Sequence, residues 1–387
     1  MDELFSRKIQ YIEISGIRKF YNKVNKVDGV VSLTLGQPDF AVPELIKKEI
    51  CDAIINNKTM YTANEGILEL RSEISNYLKK RHINYYSDEI CITVGGSEGI
   101  MDVFAVFLNE GDNVLVPTPA YPAYENCIKV LGGNIINYKL NNDFSLNYDE
   151  LQKLIKYKKP KLLVVSYPCN PTGAILSKKD SEILHDIVKN NDLTVISDEM
   201  YSSLCYDKYY SISQYDDIKH KVVLVGGFSK MFSMTGLRVG YVCGTKAVVD
   251  NVIKFHQYNV SCAPSIAQWG AYRGLKSCLS DVEYMKKSFM KRRDFMYNEL
   301  NRLGFDVILP KGAFYIFPSI KKFGIKSDEF CERMLKEAKV AAVPGTAFGY
   351  GGEGYIRISY SYSMEELREA IIRIEEWLKK FDSKQIT

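Results

Sequence analysis

The chain has 387 residues, 46% hydrophobic and 25% charged, which is too long for one simple core and suits two associated globular domains. Its net charge of +4 is the small difference between 51 basic and 47 acidic side chains. With no long block of one sign and no apolar stretch of membrane-spanning length, neither nucleic acid nor a membrane is expected as a partner.

Nine cysteines occur without a C-x-x-C pair, and the N-terminal stretch lacks an apolar leader segment, so reduced thiols in a cytoplasmic protein are expected. The four histidines, His82, His185, His220 and His256, form no metal-ligand pattern. No metal is therefore expected, and proton transfer must fall to another group.

From the N-terminus, apolar residues at helical spacing between Ile9 and Val27, interrupted by Gly16, predict an arm and a helix. The segment SLTLGQPDF, Ser32 to Phe40, alternates like a strand and stops at a glycine and a proline. Helices are predicted over Glu44 to Ile55 and Arg71 to Lys80, then a strand over Glu89 to Gly96 leading into a helix from Ser97 to Leu108. The unpaired N–H groups and dipole of such a helix start suit a phosphate, which makes Gly96, Ser97 and Glu98 a candidate cradle. Next come a strand over Asn113 to Val116, the turn PTPAYPAY, a strand over Asn134 to Leu140 and a helix around Asp149 to Tyr157. An apolar strand from Pro160 to Ser166 then ends in the turn YPCNPTG. Beyond a helix over Lys178 to Lys189, the strand Leu193 to Ser197 runs into Asp198. A carboxylate at a buried strand end is costly unless it is paired or hydrogen bonded.

The stretch VLVGGFSKMFSMTGLRVGYVCG, Val223 to Gly244, reads as strand, turn, lysine, loop and strand. Lys230 stands there among small and apolar neighbours, where desolvation lowers an ammonium pKa and frees a nucleophilic amine able to form a Schiff base. Strands alternating with helices from Glu89 to Gly244 predict an α/β fold, a largely parallel sheet with helices on both faces. Ligand sites in such sheets lie beyond the strand ends, where Gly96, Asn170 and Asp198 all fall.

After Gly244 the pattern turns helical, with Val282, Met285, Phe289, Leu300 and Leu303 on one stripe of a long helix. A smaller α+β unit follows, with strands near Phe305 to Leu309, Ala313 to Phe317 and Tyr355 to Tyr360. Ser363 and Glu366 form a capping box for the closing helix, and the final DSKQIT is expected to be a frayed tail. Gly349, Gly351 and Gly354 spell G-x-G-x-x-G, but a strand follows where a dinucleotide fold needs a helix, so no nicotinamide site is expected.

Gly227, Ser229, Lys230, Ser233, Gly236, Arg238 and Gly240 together resemble the signature of the class I/II aminotransferases, enzymes of fold type I that use pyridoxal 5'-phosphate (PLP). The resemblance extends through SLTLGQPDF, the Y-x-x-x-x-G-x-x-x-L-R pattern from Tyr61, N-P-T-G at Asn170, and Asp198 with Tyr201. It implies that Lys230 is the Schiff-base lysine and proton carrier, and that Ser229 and Arg238 bind the cofactor phosphate. Asp198 would hold the ring nitrogen protonated, Asn170 and Tyr201 would bond the phenolic oxygen, and Tyr121 would stack on the ring, with Tyr124 as the competing aromatic. Gly36 and Arg357 would receive the substrate α-carboxylate, the arginine as a bidentate fork, and Asn170 would bind substrate as well as cofactor. Tyr61 would cross to the phosphate of a partner subunit, which implies a homodimer.

The resemblance also implies a division into an N-terminal arm with part of a small domain (1–45), a large PLP-binding domain (46–280) and a C-terminal small domain (281–387). Within the family, EISGIRKF, SLTLGQPDF, HQYNVSCA and GAFYIFPSI are most similar to the N-acetyl-LL-diaminopimelate aminotransferases of bacterial lysine biosynthesis. Glutamate and 2-oxoglutarate are then the expected second pair. Aspartate or aromatic aminotransferases, or a carbon–sulfur lyase using the same lysine and aspartate, are the alternatives.

Overall fold

The apolar runs between Ile90 and Cys243 become seven strands of one sheet in a computed structural model that describes residues 4–383. In chain order the strands of the protein are β1 (Val31–Ser32), β2 (Ile90–Thr93), β3 (Asn113–Thr118), β4 (Asn134–Lys139), β5 (Leu162–Ser166), β6 (Thr194–Asp198), β7 (Val222–Gly227), β8 (Gly240–Cys243), β9 (Tyr315–Ile316), β10 (Val340–Ala341), β11 (Val343–Pro344) and β12 (Ile356–Ser359). The large sheet has the order β2-β8-β7-β6-β5-β3-β4. Its pairings are parallel from β4 across to β7, whereas β8 runs antiparallel to both β7 and β2. The largely parallel α/β sheet is therefore present, with one reversed strand.

Every residue of β5 and β7 is buried, which explains why these segments read as unbroken apolar runs rather than alternating ones. Helices Gly95–Phe107, Ala123–Leu131, Tyr148–Lys158, Lys178–Asn190 and Lys246–Asn259 cover the sheet, and apolar clusters fill the space between. Each fully buried Val, Leu or Ile contributes about 1.5–3 kcal/mol, so this core fixes where the strand ends lie.

The N-terminal segment joins the C-terminal unit rather than the large sheet. β1 pairs with β10 in parallel, and β11-β12-β9 form a three-stranded antiparallel sheet around the core of Phe289, Phe314 and Tyr315. The predicted strand Ser32 to Phe40 shrinks to Val31–Ser32 because only its start finds a continuous partner strand; farther on, Leu33 bonds both Ala341 and Ser359 singly. Phe305 to Leu309 likewise makes only the isolated bridge Asp306–Ser319, not a strand. The expected N-terminal helix is two pieces, Arg7–Gln10 and Gly16–Val24. Helix Leu279–Arg302 supplies the long element, and Ser363 and Glu366 exchange the two capping bonds at 2.9 and 3.2 Å. That closing helix continues through Ser383, into the stretch expected to fray, while 384–387 lie outside the described residues. The Gly349–Gly354 motif forms short turns, and Gly351 N–H donates to Thr118 Oγ1 at the end of β3.

All nine cysteines are free thiols, most of them buried. Among the described residues no helix is long and apolar enough to cross a membrane.

One close approach shapes the sheet's ligand-binding edge. Where β8 starts, a Cβ on Gly240 would lie 2.6 Å from Gly95 C and 2.7 Å from Gly96 N, which are backbone atoms that cannot swing aside. Gly240→Ala should therefore cost about 1–3 kcal/mol in urea unfolding, whereas Gly236→Ala, with nothing within 4 Å, should change stability by under about 0.5 kcal/mol. Equal effects of the two would remove the steric argument.

Candidate active site

The C-terminal ends of β2, β5, β6 and β7 and the start of β8 open on one cavity of about 550 Å³. Its size is ordinary for a small-molecule site. Twelve of the residues singled out from the sequence line it: Gly36, Gly96, Ser97, Tyr121, Tyr124, Asn170, Asp198, Tyr201, Ser229, Lys230, Arg238 and Arg357.

The two glycines after β2 are the first residues of helix Gly95–Phe107, so Gly96 and Ser97 bring unpaired backbone N–H groups to the cavity. Gly95 has φ +75° and packs on Arg238 so closely that a Cβ would come within 2.5 Å of Nη2. Arg238, itself at φ +56°, donates from Nη1 to Thr235 O at 2.8 Å and from Nη2 to Val94 O at 3.3 Å. The guanidinium thus sits against the helix N-terminus, and two sources of positive potential converge.

Asp198 ends β6 and is buried. Tyr124 donates its phenol to Asp198 Oδ2 at 2.6 Å, and Met200 N–H donates to Oδ1 at 3.0 Å. Burial pushes the carboxyl above its usual range, and those two bonds oppose the shift. Each oxygen keeps lone-pair capacity toward the cavity. Of the two aromatic candidates, Tyr124 is committed to Asp198, while Tyr121 lines the cavity edge-on to it with ring centroids 5.8 Å apart.

Lys230 follows β7 and donates from Nζ to Gly36 O at 2.7 Å. Burial pulls its ammonium down to about 8, and the charges of Arg238 and Arg357 add to the effect. Arg357, on β12, is only 1% exposed. Its Nη1 donates to Asn170 Oδ1 at 3.0 Å and its Nη2 to Thr34 O at 2.7 Å, over the ring of Tyr315 at 4.4 Å. Its Nε has no hydrogen-bond partner.

Two predicted residues are not in this group. Glu98 turns its carboxylate away from the cavity to His256, at 2.7 Å, so its side chain is no part of the cradle. Tyr61 is 86% exposed on the surface. Conversely, sequence reasoning missed Tyr315, whose hydroxyl bonds that of Tyr201 at 2.8 Å and whose ring supports Arg357. It also missed Met200, whose methyl fills the space beside Gly96, and Arg18 at the cavity mouth. Tyr315 lies in GAFYIFPSI, a segment that carries the resemblance, but that segment points to substrate class and not to a site residue.

The arrangement fits PLP. Arg238 and the helix N-terminus suit a phosphate, and Asp198 suits a protonated ring nitrogen. The unpartnered Nε of the buried Arg357 suits a carboxylate. Residues 28–374 match the family described as Aminotransferase class I and II. The chain is 42% identical over 390 residues to the "Probable N-acetyl-LL-diaminopimelate aminotransferase" of Bacillus subtilis (strain 168), covering 100% of this chain and 98% of the relative. It is 41% identical to the aspartate aminotransferase of Pyrococcus abyssi, covering 97% and 98% of the two chains. It also superimposes on the crystal structure of an aromatic aminotransferase from Pyrococcus horikoshii with a TM-score of 0.89, 41% identity, and coverage of 93% of this chain and 99% of that one. The chain therefore belongs to the class I and II aminotransferases, PLP-dependent enzymes of fold type I that exchange an amino group between an amino acid and a 2-oxo acid.

Proposed function

We propose that this aminotransferase takes its amino group from N-acetyl-LL-diaminopimelate, in lysine biosynthesis, with glutamate and 2-oxoglutarate as the other pair. The observation that carries this reading is a surplus of cations. Arg357 has the geometry for one carboxylate, and Arg18, on helix Gly16–Val24, brings a further guanidinium to the cavity mouth. A substrate with a second carboxylate uses both. Likeness over the whole chain to the Bacillus subtilis relative supports the larger donor. The similar likeness to an aspartate aminotransferase supports aspartate as a second reading, since that substrate is also dicarboxylic.

The residues divide the work as follows. Gly96, Ser97, Ser229 and Arg238 would hold the phosphate of PLP, Asp198 its ring nitrogen, Asn170 and Tyr201 its phenolic oxygen, and Tyr121 its face. When bound, PLP supplies an electron sink for the charge left on the substrate α-carbon. Arg357, with Gly36 beside it, orients the α-carboxylate, and Lys230 Nζ takes the α-proton. With a pKa of about 8, roughly a tenth of Lys230 is already neutral at pH 7. Glu98 takes no direct part through its side chain.

The division at 45/46 and 280/281 into a large and a small domain, and a homodimer in which Tyr61 reaches the partner's site, belong to the same proposal. The exposure of Met60, Tyr61 and Tyr258, at 80%, 86% and 88%, supports an interface there.

Lys230→Ala should retain PLP noncovalently through size exclusion while losing at least about a thousandfold in turnover. Substantial remaining activity would reassign the proton carrier. Labelling of the cofactor-free protein with acetic anhydride across pH 6–11, read by mass spectrometry, should give Lys230 a half-maximum near pH 8. Protonation below that value protects the amine, so reactivity must rise with pH there; a Lys230 curve coinciding with the surface lysines would refute the desolvation argument. Arg18→Leu should raise KM for 2-oxoglutarate about tenfold and leave monocarboxylic donors unaffected. In a donor screen with 2-oxoglutarate, N-acetyl-LL-diaminopimelate should show the highest kcat/KM, and a higher value for aspartate or an aromatic amino acid would transfer the assignment to it.

A further inference from the structure

Beneath the phosphate end of the cavity lies a cluster that the reaction does not use. Glu98 and Asp102 stand one turn apart on helix Gly95–Phe107, and His256 meets them from helix Lys246–Asn259. The side chains of His256 and Asp102 are fully buried and that of Glu98 is 8% exposed. His256 Nδ1 lies 2.7 Å from Glu98 Oε1 and 3.7 Å from Asp102 Oδ2. Glu98 Oε2 accepts from the backbone N–H of Val94.

These groups could be taken for metal ligands, since their donor atoms lie within 4.8 Å of one another. The closest contact argues otherwise. Two ligand atoms each about 2 Å from a tetrahedral ion stand roughly 3.3 Å apart, whereas 2.7 Å between Nδ1 and Oε1 is the spacing of a charge-assisted hydrogen bond. Burial by itself would discharge His256, but its hydrogen bond to Glu98 and the nearby carboxyls of Glu98 and Asp102 outweigh burial and lift it to about 9. Burial lifts the Asp102 carboxyl to about 7.

The consequence runs outward through one peptide. Val94 immediately precedes the helix; its N–H is held by Glu98, and its carbonyl accepts Arg238 Nη2 at 3.3 Å. The next residues, Gly95 to Ser97, provide the helix N-terminus facing the cavity. A Glu98 left without its cation would set an uncompensated negative charge one helical turn from the place where a phosphate sits, and would loosen its hold on Val94.

We propose that His256 is a positioning residue for the cofactor phosphate: by holding and neutralising Glu98 it fixes the Val94 turn on which Gly96, Ser97 and Arg238 converge. This rests on reading those three residues as the phosphate end of the site, and the test separates the two ideas. Full-length enzyme is equilibrated against graded PLP, or against pyridoxal, which lacks the phosphate, and bound cofactor is read by absorbance. His256→Gln should weaken PLP about tenfold or more while leaving pyridoxal within about twofold. In the Glu98→Gln/His256→Gln double variant, where position 98 carries no charge to be neutralised and its amide can still accept from Val94 N–H, much of the PLP affinity should return; Asp102 is present in both variants and cancels from the comparison. Equal weakening of PLP and pyridoxal, or unchanged PLP affinity, would overturn the proposal. Arg238→Leu, run in parallel, tests the phosphate end itself: if it leaves the preference for PLP over pyridoxal intact, that reading is the one that fails. If it abolishes the preference and His256→Gln does not, only the coupling through His256 fails. Should His256→Gln not fold, Glu98→Ala, which releases Val94 N–H directly, carries the same expectation.

Discussion

Lys230, Arg238 and Arg357 share one cavity with a single carboxylate, Asp198, and the site is arranged around that imbalance of charge. None of the three cations is paired with an acid within 4 Å among the described residues; their partners are neutral oxygens of Gly36, Val94, Thr235, Thr34 and Asn170. A carbonyl satisfies an N–H group without cancelling its charge, so desolvation and mutual repulsion remain until anions arrive. This tension depresses the Lys230 pKa and supplies driving force for binding a phosphate and a carboxylate.

Such a site needs a rigid frame, which the sheet provides. The strand ends carrying Asp198 and Lys230 belong to β6 and β7, whose parallel pairing and buried side chains leave little freedom. Arg357 arrives from a different sheet, on β12, and Asn170 meets it across the cavity at 3.0 Å. The site therefore depends on the C-terminal unit being docked against the end of the large sheet. In return, the Arg357–Asn170 contact links a proposed substrate ligand directly to a proposed cofactor ligand.

Much of this frame was legible in the sequence because its signals are local. The strand-glycine-helix turn at Gly95, the apolar run ending at Asp198 and the lysine after Gly227 each carry their meaning within a few residues. What escaped was set by distant contacts. Ser32 to Phe40 has strand-like alternation, yet a strand also needs a partner in register, and only Val31 and Ser32 find one in β10. Glu98 has the sequence position of a cradle residue, but a helix turns successive side chains by about 100°, and the next one after Ser97 faces His256. The spatial match of Glu98, Asp102 and His256 crosses more than 150 residues and has no local signature, as the separation of 158 between Glu98 and His256 shows.

The chemistry of this chain is more local in the sequence than its choice of donor. The cofactor groups are fixed and few, so strand ends of one sheet can meet them with short, ordered motifs. The residues proposed to meet the far end of the substrate, Arg18 with Ile17 and Tyr21, line the cavity from a short helix whose start is pinned to the other end of the chain. There a Cβ on Gly16 would already stand 2.9 Å from Ala347 Cβ. Arg18 is held at the cavity only where that packing fixes the helix, so the proposed reading of a second carboxylate depends as much on how Gly16 meets Ala347 as on the arginine itself. Residue types alone show a basic residue on an amphipathic helix; what brings it to the cavity is where the helix is held.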